Sequence, residues 1–203
     1  MRLAEKTLEL TICSQLGFFL GRRMVWFGLT QEQEAVAGFD ACTRLGGKLL
    51  FLQFKASNKF VRGLRRFHLP HRQFIQLRWR ARRRLKRSVY FVLPDIGSTA
   101  ELAANPDVIG KTWLLNPLEV RALGRPMTRA GTVRRNGVHY ADLTPPTVTI
   151  YSKPVEVRLH KIAEAFIDPV RVSLAKDAFP GGTKEFLDFR ALLPRNSVGI
   201  VLP

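Results

Sequence analysis

The segment that decides the fold covers residues 39–56 and reads Phe-Asp-Ala-Cys-Thr-Arg-Leu, then Gly-Gly, then Lys-Leu-Leu-Phe-Leu-Gln-Phe-Lys-Ala. Two strand-like runs separated by a Gly-Gly pair are typical of a β-hairpin with a two-residue turn. With both glycines in the turn, Asp40 stands directly opposite Gln53, and such side chains lie about 5 Å apart on one face. Lys55 points the same way as Gln53, because side-chain direction repeats every second residue. The hairpin therefore predicts a cluster of Asp40, Gln53 and Lys55.

The second strand of this hairpin is apolar on both faces except at Gln53 and Lys55. Two apolar faces are typical of a central strand that is covered on both sides. A buried amide and a buried ammonium group are unfavourable unless partners replace their hydration. We therefore expect these two side chains to serve a site.

A divalent metal ion is the partner that these groups fit. Asp40 offers a carboxylate, Gln53 an amide oxygen and Phe54 its backbone carbonyl, which are the oxygen ligands that Mg²⁺ or Mn²⁺ prefers. Phosphodiester hydrolysis uses such an ion, and a neighbouring cation stabilises the developing charge. We expect Lys55 to orient the attacking water or to stabilise the pentacoordinate phosphate.

The sequences Gly38-Phe39-Asp40-Ala41 and Leu52-Gln53-Phe54-Lys55 resemble the hallmark of the restriction-endonuclease-like PD-(D/E)xK superfamily. That hallmark is an Asp on one strand and an acidic-x-Lys triplet on the next. The resemblance covers residues 30–94, with residues 89–94 as the next core strand. It implies an α/β fold with a central mixed β-sheet flanked by helices, and a metal-dependent nuclease that hydrolyses DNA.

A narrower resemblance is carried by Thr30-Gln31-Glu32-Gln33-Glu34-Ala35, which leads into the Asp40 strand. This stretch is similar to small bacterial proteins of poorly described function that have the same core. The similarity extends to Val138-His139-Tyr140 and to Ser152-Lys153-Pro154. It implies a bacterial cytoplasmic protein with a role in defence against, or processing of, foreign DNA.

Gln53 departs from the pattern, because the superfamily usually carries Asp or Glu at that position. A neutral amide binds Mg²⁺ more weakly than a carboxylate and leaves the site one negative charge poorer. Glu34, on the helix just before Asp40, is our first candidate for a compensating metal ligand, and Glu9 is the second. If neither carboxylate reaches the ion, we expect the site to be inactive.

The net charge of +17 in 203 residues is concentrated in one segment. Residues 42–94 contain fifteen Lys and Arg and no acidic residue. Such an excess predicts a polyanionic partner, and phosphate backbones bind it with a strong salt dependence. We expect DNA as that partner, with RNA as an alternative, and residues 72–87 as the phosphate-contacting face, where Trp79 and Phe74 could stack on unpaired bases. The residues predicted to bind nucleic acid are Lys59, Arg62, Arg65, Arg66, Arg72, Arg78, Arg82, Arg83 and Lys86.

The remainder of the chain gives a coarser reading. Periodicity and capping signals predict helices over residues 3–20, 31–38, 72–87, 157–166 and 184–193, a helical turn at 100–104, and strands at 88–93, 112–115, 138–140 and 148–151. Residues 58–69 read as a basic linker. We expect residues 1–123 to form the nuclease-like core, and residues 124–203 to complete the same domain as a β-rich excursion with C-terminal helices. His68, His71 and His139 are expected in loops or at the surface.

Several classes of protein are excluded or kept as alternatives. No run reaches the roughly 18 apolar residues of a membrane span. The apolar residues 16–20 make a poor secretory signal, because acidic residues precede them and no small-residue cleavage site follows. Cys13 and Cys42 suit two buried thiols in a reducing cytoplasm. One alternative is a catalytically inactive nucleic-acid-binding subunit of a larger, multi-protein complex. Another is a structural protein that docks on an acidic protein, an RNA scaffold or an anionic membrane; interleaved apolar and basic residues weaken the membrane version.

Overall fold

The hairpin forms in the predicted register. The computed structural model describes residues 1–19, 25–45, 48–57, 59–82, 88–124, 126, 137–162 and 165. Strands β2 (Ala41–Leu45) and β3 (Lys48–Phe54) pair antiparallel, with Ala41 opposite Leu52 and Leu45 opposite Lys48. This register is the one that sets Asp40 opposite Gln53.

Strand β3 lies inside a six-stranded mixed sheet with the order β1-β2-β3-β6-β7-β11. The other members are β1 (Trp26–Gly28), β6 (Val89–Pro94), β7 (Thr112–Leu115) and β11 (His160–Lys161). β6 runs parallel to β3, whereas the remaining neighbours are antiparallel. Because β3 is buried on both faces from Leu50 to Phe54, the prediction of a covered central strand is confirmed.

Helices cover both faces of this sheet. Helix α1 (Glu5–Phe19) packs Leu8, Ile12 and Leu16 with Leu52 and its neighbours on β3. On the other face, helix α3 (His71–Arg82) buries Phe74, Leu77 and Ala81 in a second cluster, which contains Phe51 and Phe91. The chain is therefore an α/β protein, as expected.

Two further helices are short and capped by local side chains. Helix α2 (Gln31–Ala37) begins with the predicted capping box, in which Thr30 and Gln33 exchange side-chain and backbone hydrogen bonds. It ends at Gly38, whose φ of 77° is left-handed and suits glycine. Helix α4 (Thr99–Ala104) follows β6 and is capped by Ser98.

A second sheet contains five antiparallel strands in the order β10-β9-β8-β5-β4. They are β4 (Lys59–Val61), β5 (Leu64–Pro70), β8 (Val138–Thr144), β9 (Thr147–Ile150) and β10 (Val155–Arg158). The prediction of a linker at residues 58–69 is therefore wrong for the described residues 59–69. In the turn of the β4–β5 hairpin, Arg62 and Gly63 have positive φ. Along β5, half-buried and buried residues alternate.

The two sheets share one core across α3. Phe67 and Leu69 of β5, and Ala141 and Leu143 of β8, lie in the same apolar cluster as α3. The boundary that we expected between residues 123 and 124 does not separate the two sheets. Strands β4 and β5 precede it but belong to the second sheet, and β11 follows it but belongs to the first.

The C-terminal helix predictions have mixed outcomes. A helix from residue 157 is wrong through residue 161, because Val157 lies in β10 and residues 160–161 form β11. Val157 and Leu159 are buried on either side of exposed Arg158, which is a strand pattern. The predicted helix at 184–193 and residues 83–87 of the third helix lie outside the described residues. Within the described part of the chain, no helix is long and apolar enough to cross a membrane.

Candidate functional site

Asp40 lies between the end of α2 and the start of β2, and it is only 6% exposed. Its backbone N–H donates to the carbonyl of Leu52 at 3.0 Å, which extends the hairpin ladder by one residue. Its carboxylate Oδ2 accepts two hydrogen bonds, from the Phe54 N–H at 2.7 Å and from Gln53 Nε2 at 2.5 Å. The predicted meeting of Asp40 and Gln53 is thus present in the structure.

The Gln53 carboxamide is 1% exposed and bridges two elements. Its Nε2 donates to Asp40 and also to the carbonyl oxygen of Phe54 at 3.2 Å. Its Oε1 accepts from Nε2 of Gln73 on α3 at 2.6 Å. The oxygens of Asp40 and Phe54, which we predicted as metal ligands, therefore converge on the Gln53 amide, which presents its nitrogen to them.

Lys55 is 6% exposed and lies at the carboxyl end of β3. Its backbone N–H donates to the carbonyl of Val92 on parallel β6. Its Nζ donates to Glu5 Oε2 of α1 at 3.3 Å, and Glu5 Oε1 accepts from the Ala56 N–H at 3.3 Å. Sequence reasoning missed Glu5 as a site residue, although its one-turn spacing from Glu9 on the predicted first helix was a usable signal.

Burial controls the charge of Asp40. It raises the pKa of this carboxyl to about 7, against the opposing effects of Lys55 and of the hydrogen bond from Phe54. Glu34 raises the pKa of Asp40 further, so its carboxylate acts on the same site. Asp40 therefore holds a proton more readily than an exposed Asp, and a bound cation would favour its ionised form.

The two candidate compensating acids lie nearby but differ in their contacts. Glu9 is buried, and both of its oxygens accept from Lys6 Nζ, at 2.8 and 2.9 Å. Burial raises the pKa of Glu34, while Lys6 lowers it and Glu9 raises it. The positive charge of Lys6 therefore acts on both acids.

The donor set around Asp40 suits a hard divalent ion. Carboxylate, backbone carbonyl and amide oxygens are the ligands that Mg²⁺ takes, usually with several waters retained. Among the described residues no three His, Cys, Asp or Glu side chains are grouped closely enough to hold a metal. Any ion at this position would therefore depend on the Phe54 carbonyl and on Gln53 turning its oxygen inward.

Two of the predicted nucleic-acid contacts are engaged within the protein. Arg65 is buried, and its guanidinium pairs with Asp95 and Glu101 at the end of β6 and on α4. Arg66 makes a bidentate pair with Asp142, its cross-strand neighbour, at 2.6 and 2.7 Å. Arg66 thus links two strands of the second sheet, whereas Arg65 joins that sheet to the end of β6 and to α4. These pairs leave both guanidiniums little donor capacity for phosphate.

Other predicted contacts remain at the surface. Lys59, Arg62, Arg72 and Arg82 are exposed, whereas half-buried Arg78 donates to the Arg121 carbonyl at 3.5 Å. Arg83 and Lys86 lie outside the described residues.

Helix α3 carries an exposed row that we call the α3 stripe, formed by Arg72, Ile75, Trp79 and Arg82. Trp79 is 53% exposed, so part of this residue is accessible at the surface. Phe74 is fully buried against Phe91 and so cannot stack on a base. The stripe combines cations and an aromatic ring, a combination that suits nucleic acid.

The prediction that His139 lies in a loop or at the surface is wrong, since it is completely buried in β8. His71 Nδ1 and His139 Nε2 are 2.9 Å apart, and His139 Nδ1 is buried without a hydrogen-bond partner among the described residues. Burial, and then the neighbouring His71, lower the pKa of His139 to about 4. His139 is thus part of the core, and its neighbour His71 is half-buried at the start of α3.

Comparisons with models of protein families, with curated proteins and with solved structures gave no match for this chain.

Proposed function

We propose that this chain is a metal-dependent nuclease that hydrolyses DNA, with the core of the PD-(D/E)xK superfamily. The convergence of Asp40 and Phe54 oxygens on the Gln53 amide, at the carboxyl end of buried β3, carries this proposal. Ligand sites of open α/β sheets form at such strand ends. The buried polar groups have a function in this account, because each loses its hydration on burial, a cost that apolar side chains in a purely structural strand would avoid.

Asp40, the Phe54 carbonyl and the Gln53 amide oxygen would hold Mg²⁺ or Mn²⁺, with Glu34 as the auxiliary acid through a water ligand. The bound ion supplies Lewis-acid activation and charge neutralisation at the phosphate. Although burial raises the pKa of Asp40 to about 7, the charge of Lys55 and the hydrogen bond from Phe54 oppose this shift and favour the ionised carboxylate.

Lys55 is placed to stabilise negative charge on the scissile phosphate. Its ammonium is held by Glu5 of α1 at 3.3 Å, a longer contact than the 2.8 Å pair of Lys6 and Glu9. A phosphate oxygen can therefore compete for Lys55 at a modest cost. Glu5 would orient Lys55 before substrate binds.

Substrate binding would use the exposed cations of the basic segment. Lys59, Arg62, Arg72 and Arg82 are accessible, and α3 links the α3 stripe to Gln53 through Gln73. Sequence-independent phosphate contacts of this kind weaken with salt. Bacterial defence against foreign DNA is the role that we propose for such an activity.

The test is cleavage of supercoiled plasmid and of labelled oligonucleotides with Mg²⁺ or Mn²⁺ at low salt. We expect products from wild-type protein, and a rate at least about 100-fold lower for Asp40→Ala and for Lys55→Met, since each removes a charge that stabilises the transition state. Lys6→Met is the matched control, because it removes a neighbouring ammonium that contacts Glu9 instead. Equal rates for wild type, Asp40→Ala and Lys55→Met would refute the site.

The second candidate function is nucleic-acid binding without catalysis. It is favoured by the neutral amide of Gln53 and by the lack of a group of three metal-binding His, Cys, Asp or Glu among the described residues. DNA binding that is independent of metal, with no cleavage products at any Mn²⁺ concentration, would support this function instead.

A further inference from the structure

We infer that Gln73 of α3 is a positioning residue that governs which end of the Gln53 carboxamide faces the metal. The inference rests on the metal site proposed above. Gln73 belongs to a different element from the hairpin and donates to Gln53 Oε1 at 2.6 Å. It makes none of the contacts to Asp40 or Phe54 that Gln53 makes.

The Gln53 carboxamide has two orientations with opposite chemistry. In the structure, its NH₂ group donates to Asp40 and Phe54, which satisfies their oxygens. Turning the carboxamide by half a rotation would place Oε1 beside these two oxygens. Three oxygens facing one another repel unless a cation lies among them, so the turned orientation is stable only with metal.

Gln73 has to turn together with Gln53. If Gln53 alone turned, its NH₂ group would face the NH₂ group of Gln73, and two donors cannot bond each other. Gln73 Oε1 is buried and has no hydrogen-bond partner among the described residues. After both carboxamides turn, Gln73 Oε1 accepts from Gln53 Nε2. The Gln73 NH₂ group then occupies the position that Gln73 Oε1 had before.

The joint turn is therefore nearly neutral at Gln73. The Gln53–Gln73 hydrogen bond exists in both orientations, and one polar end of Gln73 lacks a partner in both. The preference between the two orientations of Gln53 is therefore decided at Asp40 and Phe54. There, only a bound metal ion favours the orientation in which Gln53 Oε1 faces these two residues. A glutamine serves this purpose because its carboxamide can donate or accept, whereas a residue that can do only one fixes the orientation.

Single-function substitutions at residue 73 test this role. In Gln73→Glu the carboxylate only accepts, so it favours Gln53 with Nε2 toward α3 and Oε1 toward the metal. In Gln73→Lys the ammonium only donates, so it holds Gln53 with Oε1 toward α3 and Nε2 toward Asp40, as in the structure. Gln73→Met does neither and should leave the preference near that of wild type.

The measurement is Mn²⁺ binding to the full chain by isothermal titration calorimetry at pH 8. We expect the Kd to fall about three- to tenfold in Gln73→Glu and to rise about three- to tenfold in Gln73→Lys, the range that one net hydrogen bond supplies. Gln76→Glu and Gln76→Lys are the matched controls for charge alone. Gln76 lies one turn further along α3 and donates weakly, at 3.4 Å, to carbonyls of α2, so we expect its variants to shift the Kd by less than twofold.

A kinetic readout separates positioning from a structural defect. Plasmid cleavage by Gln73→Lys should need more Mn²⁺ for half-maximal rate but reach the wild-type rate at saturation, with an unchanged Tm. Shifts of equal size at residues 73 and 76, or unchanged Kd values in all Gln73 variants of a wild type that binds Mn²⁺, would overturn the role of Gln73 alone. Wild-type protein that binds no Mn²⁺ would overturn the proposed metal site and this inference with it.

Discussion

Nε2 of Gln53 lies 2.5 Å from Oδ2 of Asp40, although thirteen residues and a hairpin turn separate the two along the chain. Both side chains are buried, and the carboxylate also accepts from the Phe54 N–H. A protein that needed only stability at this position would gain by replacing both groups with apolar side chains, because their desolvation is only partly compensated. We therefore propose that function opposes stability at this pair.

The opposition can be measured with Asp40→Asn. Burial raises the pKa of Asp40 from 3.8 to about 7, so the folded state binds a proton that the unfolded state has already released between these values. The ionised carboxyl consequently lowers the free energy of unfolding, increasingly from pH 4 to pH 7 and fully above pH 7. Asparagine carries no charge and keeps an acceptor for Phe54. Without metal, we expect Asp40→Asn to be more stable than wild type by about 1–3 kcal/mol at pH 8.

Urea denaturation in the presence of EDTA at several pH values checks this expectation. The difference between Asp40→Asn and wild type should shrink steadily toward pH 4. A variant that is less stable than wild type at pH 8, or a difference that does not change with pH, would contradict the burial argument.

His139 should impose the opposite pH dependence. Its pKa is lowered from 6.5 to about 4 by burial and by His71, so the unfolded state binds the proton more readily. Stability from this residue is complete above about pH 6.5 and is lost as the pH falls toward 4, by roughly 3 kcal/mol in total. In urea denaturation, His139→Phe should show a shallower loss of stability than wild type between pH 6.5 and 4.5. An identical slope would show that His139 does not titrate in this range.

DNA binding should depend on the exposed cations of the α3 stripe. Replacing Arg72 and Arg82 together by Gln should weaken DNA binding about tenfold near physiological salt, and should reduce the slope of log K against log salt by about 2. Fluorescence anisotropy across a salt series measures both quantities. The control replaces two exposed lysines outside the basic segment, Lys111 and Lys153. Equal losses in the two double variants would mean that net charge, rather than this surface, sets the affinity.

Local signals predicted much of the architecture. The Gly-Gly pair between two strand-like runs predicted the hairpin register, so the meeting of Asp40 and Gln53 followed from residues close in sequence. The capping box of Thr30 and Gln33 and the glycine at residue 38 defined the two ends of α2 for the same reason. Such features depend on backbone geometry and short-range hydrogen bonds, which the sequence specifies directly.

Long-range partners could not be read in this way. Arg65 was expected at the surface because its neighbours are basic, yet Asp95 and Glu101, thirty or more residues away, draw it into the protein. Strand β5 was hidden because the basic residues within it obscured the alternation of Phe67 and Leu69. The contact between Gln53 and Gln73 depends on how α3 crosses the sheet, which no local pattern encodes.

The most direct test of the central claim is a crystal structure with Mn²⁺, with the ion located by its anomalous scattering. We predict one strong peak within about 2–2.3 Å of oxygens of Asp40, Phe54 and Gln53, with the Gln53 amide turned relative to the metal-free protein. The same peak should be missing from Asp40→Asn. A peak at another place, or none beside Asp40 in crystals saturated with Mn²⁺, would contradict the account.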